Sequence, residues 1–149
     1  FMHGGEQENG FRAGTLAVHN IVGFGKAAEI ALRDFEVNEK RILKLDQMLI
    51  SELNAIQEIS LTNPSEQRLP GIVSIVVDKC DFNNERFIKH ISDKLALSTG
   101  SACSAGEPSY VITALGLEDK VSKVLRISIN KYTTEEDIIQ LIKILKSEL

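Results

Sequence analysis

Cys103 lies in the run Ser98-Thr99-Gly100-Ser101-Ala102-Cys103-Ser104-Ala105-Gly106-Glu107-Pro108. Small residues, two glycines and a closing proline make a poor helix and a poor strand, so the run is predicted to be a loop. No apolar side chain stands close enough in sequence to wall the thiol in. A thiol on a pliable, exposed segment suits taking a group up in one place and carrying it to another. Arg126 sits in the alternating run Val124–Ile129, on the face opposite Leu125, Ile127 and Ile129. It is either a solvent-facing arginine on a half-exposed strand or a guanidinium fork that grips a carboxylate from a rigid element. Gly14-Thr15 stands where a helical pattern begins. The pair reads as an ordinary N-cap, or as free N–H groups and a hydroxyl offered to a phosphate. Cys80, in the polar stretch Asp78-Lys79-Cys80-Asp81, reads as structural. His3 and His19 read as surface residues, and Glu107 as an acid favoured at a helix N-terminus.

These groups need elements to hold them. Residues 3–14, punctuated by glycines, form a loop. From Thr15 a helical period runs through Val18, Ile21, Val22, Ala28 and Leu32, with Gly23 and Gly25 permitting a close neighbour. It resumes at Ile42, Leu45, Leu49, Leu53 and Ile56, as one long helix or two in series. A short strand near Ser60–Thr62 precedes the loop Asn63–Leu69, the turn Pro70-Gly71 and the strand 72–77. Asn83 or Asn84 caps a helix whose Phe87, Ile88, Ile91 and Leu95 share a face. Pro108 opens a short helix that ends at Gly116. Thr133 with Glu136 forms a capping box for the last helix, with Ile138, Leu141, Ile142, Leu145 and Leu149 as its buried stripe. This order predicts an α/β (α+β) sandwich, a few strands covered by helices on one side.

The bulk numbers exclude more than they assign. A chain of 149 residues favours one domain that needs no disulfide or metal, with 43% apolar and 26% charged residues as in an ordinary globular protein. The net charge of −4 gives no electrostatic case for nucleic acid or an anionic membrane. No apolar run approaches a membrane span. Two cysteines and three histidines without ligand spacing argue against a metal site and for a reducing, cytoplasmic setting. The opening Phe1-Met2-His3-Gly4-Gly5 reads like the interior of something longer.

Together, Ser-Thr-Gly-Ser-Ala-Cys at 98–103, Glu-Pro-Ser-Tyr at 107–110, and Leu-Arg-Ile-Ser with Tyr-Thr-Thr-Glu-Glu within 125–136 resemble the cysteine desulfurases. So do Met-His-Gly-Gly at 2–5 and Arg-Ala-Gly-Thr at 12–15. These are pyridoxal-phosphate enzymes of the aminotransferase class V group, and the resemblance covers the whole chain, in the branch with the longer cysteine loop. It implies that residues 1–149 are the small C-terminal domain of the fold-type I transferase fold, with the preceding interdomain loop and long helix. It implies Cys103 as nucleophile and persulfide carrier, Arg126 as holder of the substrate carboxylate, and Thr15 as a ligand of the cofactor phosphate across a homodimer interface. Arg12 takes a supporting place beside that phosphate, and His3 matches without a role.

The implied activity takes sulfur from L-cysteine as a protein persulfide, releases L-alanine, and passes the sulfur to an acceptor or scaffold protein. The uses this implies are iron–sulfur cluster assembly, tRNA thiolation or DNA sulfur modification. In that family the Schiff-base lysine follows a histidine, and none of the eleven lysines here has that context. The chain therefore reads as a desulfurase part without its cofactor-lysine domain, inactive alone. The stretch from Cys103 to Glu107 is also about two residues shorter than in the long-loop members. A selenocysteine lyase or other class V enzyme, and a stand-alone sulfur-carrier or interaction module, are the competing expectations.

Overall fold

A computed structural model of the chain describes residues 2–63, 68–100 and 109–149. The chain divides into two compact units, Phe1–Asn38 and Glu39–Leu149. One helix, α1 (Val18–Asn54), contributes to both, so the long apolar period belongs to a single helix rather than two. Among the described residues no helix is long and apolar enough to cross a membrane.

In the first unit, residues 2–14 are more ordered than a plain loop. Met2 and Arg12 form a parallel bridge, and the Ala13 N–H donates to the Met2 carbonyl at 3.0 Å. A tight turn, Gln7–Gly10, lies between them, with Glu8 and Asn9 in left-handed backbone at φ 54° and 55°. Helix α1 starts at Val18 rather than Thr15, because the Ala17 carbonyl accepts from the Ile21 N–H at 3.1 Å. The expected close neighbour at Gly23 and Gly25 is absent among the described residues: a Cβ at either would meet nothing within 4 Å. Val18, Ile21, Val22, Phe24, Leu32 and Phe35 are all exposed.

The second unit is built on a three-stranded antiparallel sheet of order β1-β2-β3, with β1 at Ile59–Leu61, β2 at Ile72–Val77 and β3 at Val124–Ser128. The register sets Ile75 against Leu125 and Ser74 against Arg126. Strand alternation sends Val73, Ile75, Val77, Leu125 and Ile127 to one face. There they pack with Leu45, Leu49 and Leu53 of α1, with α2 (Asn84–His90), and with the stripe of α4 (Glu135–Glu148). The second face is not bare, as a one-sided arrangement would leave it. Val76 and Val124 are apolar and point that way, and they pack with Ile112 of α3 (Tyr110–Ala114), Leu117 and Val121.

Two local features differ from expectation. Asn83 alone caps α2, accepting from the Arg86 N–H at 3.0 Å, while Asn84 is buried for another purpose. The capping box of α4 is Thr134 with Asp137, one residue later than Thr133 with Glu136. The Thr133 hydroxyl is already taken by the Asn130 N–H at 3.0 Å, in a turn that also ties the Tyr132 N–H to the Asn130 side chain.

Where α1 meets the start of β2, an acid lies inside the core. Asp46 is buried, and its carboxylate is forked by the Arg68 guanidinium. It also accepts the Gly71 N–H at 2.7 Å. Gly71 has φ +90°, and a Cβ there would stand 3.0 Å from Ile42 Cγ2 and 3.3 Å from the Ile129 carbonyl oxygen. The Pro70-Gly71 turn is therefore clamped from both sides, which fixes where β2 begins.

Candidate functional site

Arg126 is central to the second sheet face of the larger unit. Its partner on β2 is Ser74, and on its other side it pairs with Ser98 in an isolated antiparallel bridge. The Arg126 N–H donates to the Ser98 carbonyl at 2.6 Å, and the Ser98 N–H to the Arg126 carbonyl at 3.2 Å. Directly opposed residues of antiparallel pairs share a face, so Ser74, Arg126 and Ser98 form a polar row across the sheet. Val76 and Val124 form the next row, buried under α3. The guanidinium thus stands at the edge of an apolar patch, half-buried, on a strand paired on both sides. Among the described residues no carboxylate is paired with it. Such a group offers a fixed fork of donors to an incoming anion.

The local sequence explains this placement. Buried Asn84 donates from Nδ2 to the carbonyls of Val121 and Val124, each at 2.9 Å, and accepts the Glu85 N–H at 2.9 Å. One side chain at the start of α2 therefore anchors the entry to β3. From the other direction, the Asp46 clamp fixes the first residue of β2, and with it the register that sets Ser74 beside Arg126. On the far side of β2, the Thr62 N–H donates to the Ser74 carbonyl at 3.0 Å.

Ser98 begins the cysteine motif. Its hydroxyl donates to the Gly100 carbonyl at 2.9 Å, accepts the Gly100 N–H at 3.2 Å, and accepts a hydrogen bond from Arg126 Nη2 at 3.3 Å. The motif's first residues are thus tied to the arginine strand. Cys103 itself, with Glu107 and Pro108, lies outside the described residues. Cys80 is a free, exposed thiol rather than a packed structural one.

Thr15 belongs to the first unit. It is exposed, three residues before α1, so it does not cap the helix. Its hydroxyl makes no hydrogen bond among the described residues. Arg12 folds back to donate from Nη1 to the carbonyls of Gly14 at 3.4 Å and Thr15 at 3.3 Å. The Gly14 N–H donates to Gln7 Oε1 at 3.1 Å. An unengaged hydroxyl beside a guanidinium that keeps further N–H donors is chemistry that fits a phosphate. His3 is exposed. Among the described residues no cluster of three or more histidine, cysteine or acidic side chains could hold a metal ion.

The sequence reading missed Ser98 as a partner of Arg126, Asn84 as an anchor, and the pair of Asp46 with Arg68. Asp46 carried a signal: it sits four residues after Ile42 and three before Leu49, on the apolar stripe. The contact of Ser98 with Arg126 spans 28 positions and has no local signature.

The chain matches the aminotransferase class-V family over residues 3–141. It is 40% identical to the cysteine desulfurase IscS of Shewanella pealeana, over 99% of this chain and 37% of that protein. It is 38% identical to the corresponding protein of Pseudoalteromonas translucida, with the same shares. The chain thus spans well under half the length of the curated relatives it matches. Among solved structures, a NifS-like protein from Rickettsia africae is similar at TM-score 0.85 and 25% identity, covering 99% of this chain and 39% of that one. DndA from Streptomyces lividans is similar at TM-score 0.65 and 27% identity, covering 87% and 36%. The mixed helix-and-strand fold expected from the sequence is the one these structures share.

Proposed function

The chain belongs to the aminotransferase class-V family, and from that premise we propose that it is the thiol-bearing part of a pyridoxal-phosphate-dependent cysteine desulfurase. In this reading residues 1–149 form its small C-terminal domain, with the preceding loop and long helix. The full-length protein is a cytoplasmic homodimer that carries its cofactor lysine elsewhere. The observation that carries the reading is the pairing of Ser98 with Arg126, which ties the root of the cysteine motif to the strand bearing the arginine. Cys103 stands five residues past Ser98, so even a fully extended chain takes it no further than about 18 Å from that anchor.

Each residue has a task set by its chemistry. The Arg126 fork holds the carboxylate of L-cysteine against a rigid strand. The Thr15 hydroxyl, with Arg12 beside it, receives the cofactor phosphate. Cys103 reacts as thiolate, forming a bond to the substrate sulfur as the carbon–sulfur bond breaks. The pair left on carbon takes up a proton, alanine departs, and the protein keeps a persulfide. An ordinary thiol has a pKa of about 8.5, so the site must favour the anion. The cofactor, when bound, supplies the electron sink that labilises the carbon–sulfur bond. The persulfide then passes to an acceptor or scaffold protein.

The test is the intact mass of the full-length protein after mixing with L-cysteine. A gain of one sulfur that maps to Cys103 supports the reading. A gain that maps to Cys80, or none on a cofactor-loaded sample, overturns it.

A further inference from the structure

The Ser98 hydroxyl has its full set of partners: one donated bond to Gly100, and two accepted bonds, from Gly100 and from Arg126 Nη2. The Gly100 contacts close a local turn and hold the hydroxyl still. The Arg126 contact uses that fixed oxygen to hold one corner of the guanidinium. A planar fork pinned at Nη2, on a backbone bridged at the same residue, loses most of its freedom to swing. Among the described residues its remaining N–H donors carry no other hydrogen bond. They stay directed together and available.

From this geometry we propose that Ser98 is a positioning residue for substrate: its hydroxyl sets the orientation in which Arg126 receives the carboxylate of the amino acid. The proposal rests on the reading of Arg126 as the carboxylate-binding group. Holding the guanidinium before substrate arrives removes an ordering cost from binding, and that cost is the same for ground state and transition state. Losing the hydroxyl therefore weakens binding and leaves the chemical step alone.

The experiment uses the full-length, cofactor-loaded protein and compares Ser98→Val with Ser98→Thr. The two replacements share one branched shape and differ in the hydroxyl, so a packing defect strikes both. The readouts are KM and kcat for L-cysteine and, independently of turnover, the Kd of L-alanine followed by cofactor absorbance. Ser98→Val is expected to raise KM and Kd together, roughly five-fold, with kcat changed by less than about two-fold. Ser98→Thr is expected to recover most of that loss. In an Arg126→Ala background, Ser98→Val is expected to add nothing further.

Equal values for the Val and Thr variants overturn the proposal, as does a fall in kcat at constant KM. In either case a raised KM in Arg126→Ala leaves the arginine reading standing. If Arg126→Ala leaves both KM and Kd unchanged, the arginine reading itself falls, and the role of Ser98 falls with it.

Discussion

Ser98 and Arg126 are joined three times: by two main-chain hydrogen bonds of 2.6 and 3.2 Å and by a side-chain contact of 3.3 Å. A segment that could have left the sheet freely is stitched to β3 at the residue that bears the guanidinium. The sheet therefore does two jobs at one position. It buries Leu125 and Ile127 on one face, and on the other it sets a cation beside the root of the cysteine motif.

Replacing Cys103 by Ser in the full-length protein is expected to abolish persulfide formation while leaving cofactor absorbance intact. Mass spectrometry after exposure to L-cysteine, with an absorbance spectrum of the same sample, checks both halves. Loss of the absorbance would mean that the residue supports the fold.

On the proposed role of Arg126, Arg126→Ala is expected to raise the KM for L-cysteine by about ten- to a hundred-fold, the loss that follows if two or more charge-assisted hydrogen bonds to the carboxylate are removed. Arg126→Lys should recover little, since an ammonium cannot reproduce the planar fork. Steady-state kinetics on the three proteins decide it, and an unchanged KM in the alanine variant would sink the assignment.

Asp46→Asn is expected to destabilise the protein by about 3 kcal/mol. The replacement strips the charge from a buried group that satisfies both Arg68 and the Gly71 N–H, and leaves the guanidinium without its partner. Asp46 raises the affinity of Arg68 for its proton in the parent, and a guanidinium keeps its proton without that help, so the arginine stays charged in the variant. Urea unfolding of the two proteins measures the difference, and a loss below about 1 kcal/mol would show that the clamp is dispensable.

Glu148 gives a pH dependence with a definite sign. Hydrogen bonds from Lys94 and then His90 hold its carboxyl below the usual range, so the folded state favours the ionised form. Its contribution to stability is complete above the unfolded carboxyl's pKa, near 4.3, and is lost as pH falls through the lower folded value. Glu148→Gln should therefore be less stable than the parent at pH 6, and the gap should close in acid. Unfolding midpoints between pH 6 and 3 test it; a gap that widens in acid would refute the sign.

Thr134→Ala is expected to cost about 1 kcal/mol, the usual worth of a helix N-cap. Thr133→Ala loses only a turn contact and should cost less. Denaturation midpoints of the pair check the corrected register of the box, and the reverse order would restore Thr133 as the cap.

Periodicity made most of the fold legible. β2, β3 and the stripes of α2 and α4 carry strong local patterns, because burial on one face imposes period 2 or 3.6 on the residues themselves. The box at α4 slipped by one because two adjacent threonines offer the same hydroxyl, and only the demand of the Asn130 turn chooses between them. Residue types sufficed to nominate Arg126, Thr15 and Cys103 as candidates. The contacts around the arginine were not legible, since the side chains of Arg126, Asn84 and Asp46 reach Ser98, Val124 and Arg68, 22 to 40 positions away, and pairing across the sheet follows from tertiary register.

Gly71 shows how far the demands of such a site extend. With Ile42 and the Ile129 carbonyl close against the place of a Cβ, and a backbone angle that other residues rarely adopt, any side chain there is strained. A saturation library of the full-length protein selected for its activity is expected to favour glycine there strongly, much as it would favour cysteine at 103 under the proposed function. Position 71 would then score as essential although it donates no functional group, and a tolerance map read without the register of β2 would mistake it for part of the chemistry.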